Sequence, residues 1–349
     1  MWRNMVLLAL GLVAISFTRG ASADAPELDC AAARSVSEDA RGIAVLVVHR
    51  GDLVCEALAD GIDPADSWEL ASGVKSFTAV MAAAAVQDGL LTLDEPVADT
   101  LTEWRGDAQR ERVTIRHLLG QTSGLDINRR ARWIHGYADA IETRIDHEPG
   151  TRFEYGAEHF QVFGEVLRRK LAAAGLDETP AHYFQRRVLG PIGARVVRWG
   201  AVDGMPVLSE NAATDPLSWA RFGHLVLEGG RWGDTQLLDG DTLTELVTPG
   251  PVNPVYGLGW WLPHPDNAAH LPRRARTARL DTMAAGPDFP DLWMAAGAGG
   301  QRLYILPELD LVVVRMTRGV QQDPRSRETR FSDRDFLEAL LGIADDEAS

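Results

Sequence analysis

Strand patterns stand at both ends of this chain and helical patterns fill its middle, an order that leaves few folds open. Near the start, residues 43–48 and 53–57 are short apolar runs around the turn His49-Arg50-Gly51-Asp52, the signature of a β-hairpin. Near the end, residues 301–306 and 311–316 flank Pro307-Glu308-Leu309-Asp310 in the same way, and the Trp-rich residues 256–262 read as one more strand. Between them the apolar spacing turns helical. Val74, Phe77, Val80 and Met81 share a face of a helix expected over 72–88, with Gly89 as its stop. Further helices are expected over 115–119, 159–171, 181–188 and 219–227, and Ser332-Asp-Arg-Asp335 opens a last one ending near Leu341. Hairpins so far apart can share a sheet only if the chain returns on itself. The expected architecture is α/β: a mostly antiparallel sheet built from both chain ends, flanked by helices (residues 24–70 plus 235–349). A helical subdomain, residues 71–234, is inserted between them.

The first residues read as a targeting segment rather than as part of that fold. One basic residue, Arg3, precedes an apolar run over 5–17, and Ala21-Ser22-Ala23 supplies the small residues that a signal peptidase reads. A signal peptide over 1–23 and cleavage before Asp24 are expected, hence an exported protein, periplasmic or secreted. No later stretch is long and apolar enough to be a transmembrane helix. Cys30 and Cys55 could form a disulfide in an oxidising compartment, or stay as two buried thiols. A net charge of −15 argues against binding nucleic acid or anionic membrane through charge. The one basic cluster, Arg273, Arg274, Arg276 and Arg279, reads as a solvated loop. The oligomeric state is left open.

One compositional detail bears on chemistry. Of 35 basic residues, only Lys75 and Lys170 are lysines. Where charge alone suffices this sequence uses Arg, so a Lys marks a place where Arg fails, and Arg fails as a base because it keeps its proton. Lys75 lies three residues after Ser72, at the start of the expected helix, so the two side chains share a face. A serine hydroxyl is a weak nucleophile until a neighbour takes its proton, and a lysine can be that neighbour. A nucleophile in the first helical turn also has its own backbone N–H free to meet an oxyanion.

Ser72-Gly-Val-Lys-Ser-Phe-Thr78 followed by Asp88-Gly-Leu-Leu-Thr-Leu-Asp-Glu-Pro-Val97 resembles the nucleophile segment of class C β-lactamases and their esterase relatives. Val113-Thr-Ile-Arg-His-Leu-Leu-Gly-Gln-Thr-Ser-Gly-Leu125 is similar to a stretch that recurs in that superfamily. Pro149-Gly-Thr-Arg-Phe-Glu-Tyr-Gly156, leading into Gly164-Glu-Val-Leu167, resembles its tyrosine segment. Trp219-Ala-Arg-Phe-Gly-His-Leu225, Gly229-Gly-Arg-Trp-Gly233 and Tyr256-Gly-Leu-Gly-Trp-Trp261 also fit. Ala295-Ala-Gly-Ala-Gly-Gly-Gln-Arg-Leu-Tyr-Ile-Leu-Pro307 resembles the strand that closes the site. The resemblance implies a serine hydrolase acting on small esters or amides through a Ser72 acyl-enzyme. It makes Lys75 and Tyr155 the proton-handling pair, and the backbone N–H groups of Ser72 and Ala298 the oxyanion donors. Gly297 and Gly299 would line the substrate.

The pattern is broken at three places. Ala157 stands where β-lactamases have Asn, and Ala295 and Ala296 stand where penicillin-recognising enzymes have a cation and a hydroxyl residue. These losses remove the usual anchors of a β-lactam, and the Gly299-Gly300-Gln301 ending resembles the branch of aminohexanoate-oligomer hydrolases and small-ester esterases. The other readings are a β-lactamase or D-Ala-D-Ala peptidase, and a non-catalytic binding or sensing protein that keeps the cleft. Gly120-Gln-Thr-Ser-Gly124 lacks the nucleophile-elbow spacing, so Ser123 reads as structural. None of the nine histidines forms a close metal-ligand pair, and no metal or cofactor is expected.

Overall fold

Both end hairpins form, and the chain ends meet in a single sheet. The structure, a computed structural model, describes residues 27–127, 134–264, 266–267, 289–318 and 331–343. The expected signal peptide and the cluster Arg273, Arg274, Arg276 and Arg279 lie outside the described residues. After helix α1 (Cys30–Asp39) come strands β1 (Gly42–His49) and β2 (Asp52–Leu58). The other hairpin follows strand β3 (Trp293–Gly297) and consists of β4 (Gln301–Leu306) and β5 (Leu311–Thr317). The order across the sheet is β3-β4-β5-β1-β2, with every neighbour antiparallel. The first hairpin turns through Arg50 and Gly51 at φ 52° and 86°, the two left-handed residues that a tight hairpin of this hand requires.

The middle is mainly helical: α2 (Val74–Gln87), α3 (Ile115–Leu119), α4 (Tyr137–Glu142), α5 (Glu158–Ala173), α6 (Pro180–Phe184), α7 (Pro216–Leu227) and α8 (Gly240–Leu246). It also holds short strands not expected from the sequence, chiefly an antiparallel sheet in which Ala212–Thr214 pairs with Trp68–Glu69 and Val196–Trp199. Helix α9 (Asp333–Leu341) follows the sheet and is capped by Ser332, which accepts from Asp335 N at 3.2 Å. Asp215 caps α7 by accepting from Ser218 N at 2.7 Å, with Pro216 at the first helical position.

Alternation along the sheet sorts its side chains into two cores. Ala44, Leu46 and Val48 join Leu303, Val312 and Val314 in the larger core, which continues through α2, α5 and α7. Val45, Val47, Tyr304 and Val313 join Ala33 of α1 and Phe336, Leu337 and Leu340 of α9 on the opposite face. With helices on both faces, β1 reads as an unbroken apolar run rather than an alternating one. Helix α2 is buried from Val74 through Ala85, so it is apolar all round and forms the centre of the larger core. Cys30 of α1 and Cys55 of β2, with Cα atoms 6.0 Å apart, are joined as a disulfide. Among the described residues no helix is long and apolar enough to cross a membrane.

Two elements differ from expectation. Residues 256–262 are not a strand: Tyr256 and Trp261 form only isolated bridges, to each other and from Trp261 to Met294. Aromatic content suggests a strand, but Gly259, at φ 78°, turns the segment back against α2. A Cβ there would stand 2.7 Å from Lys75 O. The helix expected over 181–188 ends at Phe184 and widens into a turn over Gln185–Leu189, closed by Gly190 N donating to Gln185 O at 2.7 Å.

Helices α4 and α5 touch through a glycine. A Cβ on Gly164 would stand 2.4 Å from Tyr137 Cζ, and Tyr137 is held by its hydroxyl donating to Pro206 O at 2.8 Å. In an open helix Gly→Ala stabilises by about 0.5–1 kcal/mol. Here the sign should reverse. Gly164→Ala is expected to cost about 1–3 kcal/mol through overpacking, read as a lowered Tm. A raised Tm would show that the ring yields.

Candidate active site

The turn Ala71–Gly73 places Ser72 directly before α2. Ala71 is held at φ 48°, a left-handed conformation that costs a residue with a Cβ about 1–2 kcal/mol. Gly73 N donates to Leu70 O at 3.0 Å and Leu70 N to Ala212 O at 2.9 Å, which pins the turn from both sides. Ser72 is half-buried and Lys75 only 3% exposed. Lys75 Nζ donates to Ser72 Oγ at 3.1 Å and to Ser209 O at 3.0 Å. The segment supplying that carbonyl is tied to α2 again by Thr78 Oγ1, which donates to Leu208 O at 2.6 Å.

Aromatic faces complete the surroundings of Lys75. Its Nζ lies 4.7 Å from the Tyr155 ring centroid and 5.6 Å from that of Phe160. Tyr155 stacks on Trp261 at 5.4 Å and meets Tyr256 edge-on at 6.1 Å. Burial pushes the Tyr256 phenol well above its usual range, so it is neutral. A separate cavity of about 330 Å³ includes Tyr256, Arg116 and Asn253 in its lining but none of Ser72, Lys75 or Tyr155.

The segment leading to Tyr155 is fixed by groups the sequence did not single out. Gly156 N donates to Gln121 Oε1 at 2.8 Å. His159, fully buried, bonds Glu154 O through Nε2 at 2.8 Å and Ser123 Oγ through Nδ1 at 2.8 Å. A carbonyl only accepts, so Nε2 carries the proton and Nδ1 accepts from the Ser123 hydroxyl. Burial, with Lys75 nearby adding to it, pushes the His159 imidazole down to about 4. Ser123 is thus bonded inside the core. His159 went unread because adjacent Glu158 and His159 diverge on a helix, and its partner lies 36 residues away.

Strand β3 ends against the turn that bears Ser72. A Cβ on Gly297 would stand 2.0 Å from Leu70 O, a backbone atom that cannot move aside. Ala298 is exposed, and Gly299 turns at φ 81°. Ala295 and Ala296 are packed in the two cores at 1% and 4% exposure, and offer no polar group. The structure therefore brings Ser72, Lys75 and Tyr155 together and sets Gly297 against the turn that bears Ser72. Among the described residues no cluster of three His, Cys, Asp or Glu could hold a metal ion.

The family model named Beta-lactamase matches residues 29–338. Among solved structures, a Bacteroides dorei protein provisionally assigned as a beta-lactamase superposes with TM-score 0.72 at 20% identity, over 90% of this chain and 99% of that one. EstCE1, a hydrolase with promiscuous acyltransferase activity, gives TM-score 0.66 at 18% identity over 89% and 98%. The class C beta lactamase of Rhodobacter sphaeroides gives 0.63 at 18% identity over 89% and 97%. At these identities the likeness is one of fold. The curated relative Protein flp of Staphylococcus aureus is 27% identical over 116 residues, which are 30% of this chain and 23% of that protein. The match thus spans less than a quarter of that relative's length.

The neutral His159 makes stability depend on pH. Unfolded, a histidine titrates near 6.5, whereas the folded protein holds it unprotonated down to about 4. As pH falls through that window the unfolded chain gains a proton that the folded chain refuses. Stability should therefore drop, by at most about 1.4 kcal/mol per pH unit from this group. Above pH 7 the group contributes no slope. Chemical denaturation between pH 4 and 7 should show a shallower slope for His159→Gln than for the parent. Equal slopes would assign the pH dependence to other groups.

Proposed function

The chain belongs to the beta-lactamase family, and from that footing we propose that it cleaves small esters or amides through an acyl-enzyme on Ser72. The observation that carries this reading is the buried Nζ of Lys75, 3.1 Å from Ser72 Oγ and backed by the Tyr155 ring. In the reactive form Lys75 is the free amine: Ser72 Oγ attacks the carbonyl carbon and passes its proton to the lone pair of Lys75 Nζ. The carbonyl electron pair moves to oxygen, where the backbone N–H groups of Ser72 and Ala298 receive it. Collapse re-forms the carbonyl and breaks the bond to the leaving alcohol or amine, which takes up a proton through Tyr155. Water repeats the sequence on the acyl-enzyme, giving the free acid and restoring Ser72.

The losses at Ala157, Ala295 and Ala296 favour esters and simple amides over β-lactams or D-Ala-D-Ala peptides. A β-lactam presents a carboxylate, and two buried alanines cannot anchor it. A binding protein that turns nothing over would need neither the lysine nor the tyrosine beside the serine, which speaks against that reading. The Cys30–Cys55 disulfide supports export into an oxidising compartment.

Short-chain p-nitrophenyl esters should be hydrolysed with a kcat/KM orders of magnitude above that for penicillins or cephalosporins, and Ser72→Ala should abolish turnover. Efficient penicillin hydrolysis would reverse the ranking. Ester turnover that survives Ser72→Ala would remove the nucleophile.

The role of Lys75 is separable from its charge. Arg keeps the charge but cannot take the proton. Lys75→Arg is therefore expected to lose about 10²–10⁴-fold in kcat while remaining folded. Lys170→Arg, half-buried beside Glu95 at 2.7 Å, serves as control and should leave kcat unchanged. Parent-like activity in Lys75→Arg would mean that charge alone suffices.

A further inference from the structure

The turn that follows β3 hangs from buried side chains by its carbonyl oxygens. Gly297 O accepts from Arg302 Nη1 at 2.8 Å, Gly299 O from Thr317 Oγ1 at 3.1 Å, and Gly300 O from Arg315 Nη1 at 2.7 Å. A trans peptide is planar, with its C=O and the next N–H pointing in opposite directions. Fixing Gly297 O toward Arg302 therefore aims the Ala298 N–H the other way, off the face on which Arg302 lies. Arg302 lies opposite Ala296 in the β3–β4 ladder and its guanidinium folds back under the turn.

That guanidinium is itself immobilised. Its Nε donates to Asp333 Oδ1 at 2.6 Å and its Nη2 to Asp333 Oδ2 at 3.2 Å, the bidentate geometry that Lys cannot reproduce. Nη1 also donates to Gln301 O at 2.9 Å. Tyr304 Oη donates to Asp333 Oδ1 at 2.5 Å, which holds the carboxylate in turn. Asp333 is the first residue of α9, so the outer helix reaches the reaction cleft through two side chains.

We propose that Arg302, clamped by Asp333, is a positioning residue for the oxyanion donor: it fixes the Gly297–Ala298 peptide so that the Ala298 N–H meets the developing charge. The inference rests on the acyl-transfer reading above. Arg302 touches no substrate, and its effect belongs to the transition state, where the carbonyl oxygen becomes an anion. Its loss should therefore lower kcat and leave KM nearly unchanged.

The test uses the full chain with Arg302→Met combined with Asp333→Asn. A neutral pair replaces the buried ion pair, so no uncompensated charge remains, and the carboxamide oxygen introduced by Asp333→Asn can still accept from Tyr304. Losing one oxyanion donor typically costs about 10²–10³-fold in kcat. The double variant should lose about 10²-fold, with KM on a p-nitrophenyl ester within about threefold of the parent. Affinity for a boronic acid that forms a tetrahedral adduct on Ser72 should fall in proportion, while inhibition by the product carboxylic acid stays put. A merely structural role would move Tm and leave that ratio alone. If the double variant does not fold, Asp333→Asn alone, which loosens the clamp, should show the same split in smaller measure. An active parent beside a folded variant with unchanged kcat overturns this inference only. A parent that neither turns over esters nor takes a fluorophosphonate label on Ser72 overturns the acyl-transfer reading, and this inference with it.

Discussion

The pairing of β1 with β5 is the contact on which everything else depends. It runs from Gly42 against Thr317 to His49 against Leu311, and so closes a loop that contains the whole middle of the chain. Closing so long a loop costs entropy before any contact rewards it. The reward is that β1 becomes an interior strand, covered on both faces and paired along both edges. Once the ends are joined, β3 is carried by β4 to a fixed place beside the turn preceding α2. The candidate site is therefore a seam, with Ser72 and Lys75 from the helical middle and Gly297 and Ala298 from the sheet.

The two kinds of basic residue occupy buried sites of different character. Buried Arg315 has four bonds: to Ser37 Oγ at 3.1 Å, Ser37 O at 3.1 Å, Ala40 O at 2.7 Å and Gly300 O at 2.7 Å. Burial lowers its guanidinium to about 10, and those oxygens make a buried cation tolerable. Lys75 is nearly as buried, yet its surroundings offer Ser72 Oγ, Ser209 O and two aromatic faces. Five guanidinium donors could not be satisfied there, whereas an ammonium needs fewer acceptors. The scarcity of lysine in the sequence thus has a physical counterpart at this position, which suits a compact cationic group with few acceptors.

Much of this was legible because it is local. The two end hairpins, the helix after Ser72 and the cap at Ser332 each depend on a few neighbouring residues, and the Ser72–Lys75 pair needs only one helical turn. What escaped reading depends on atoms without a residue signature or on partners far away. The acceptor for Lys75 is a main-chain carbonyl 134 residues on, and any residue type could supply it. Arg302 and Asp333 meet across 31 positions. Residues 256–262 misled for a different reason: Trp and Tyr favour strands, but here they build the aromatic wall beside Tyr155, and Gly259 provides the bend.

That division between main chain and side chain also bears on how one fold can hold different activities. On the proposed reading, both oxyanion donors are backbone N–H groups, and the acceptor that steadies Lys75 is a backbone carbonyl. None of these requires a particular side chain, so long as Ala71 keeps its left-handed turn and Gly259 and Gly297 keep the close approaches that set the backbone path. Recognition of a β-lactam carboxylate or side-chain amide does require side chains, at the positions held here by Ala295, Ala296 and Ala157. Replacing these with alanine removes no backbone donor and leaves no buried polar group unpaired, because alanine has none to leave. Such a chain can lose the anchors for one substrate class and still keep the geometry for acyl transfer intact.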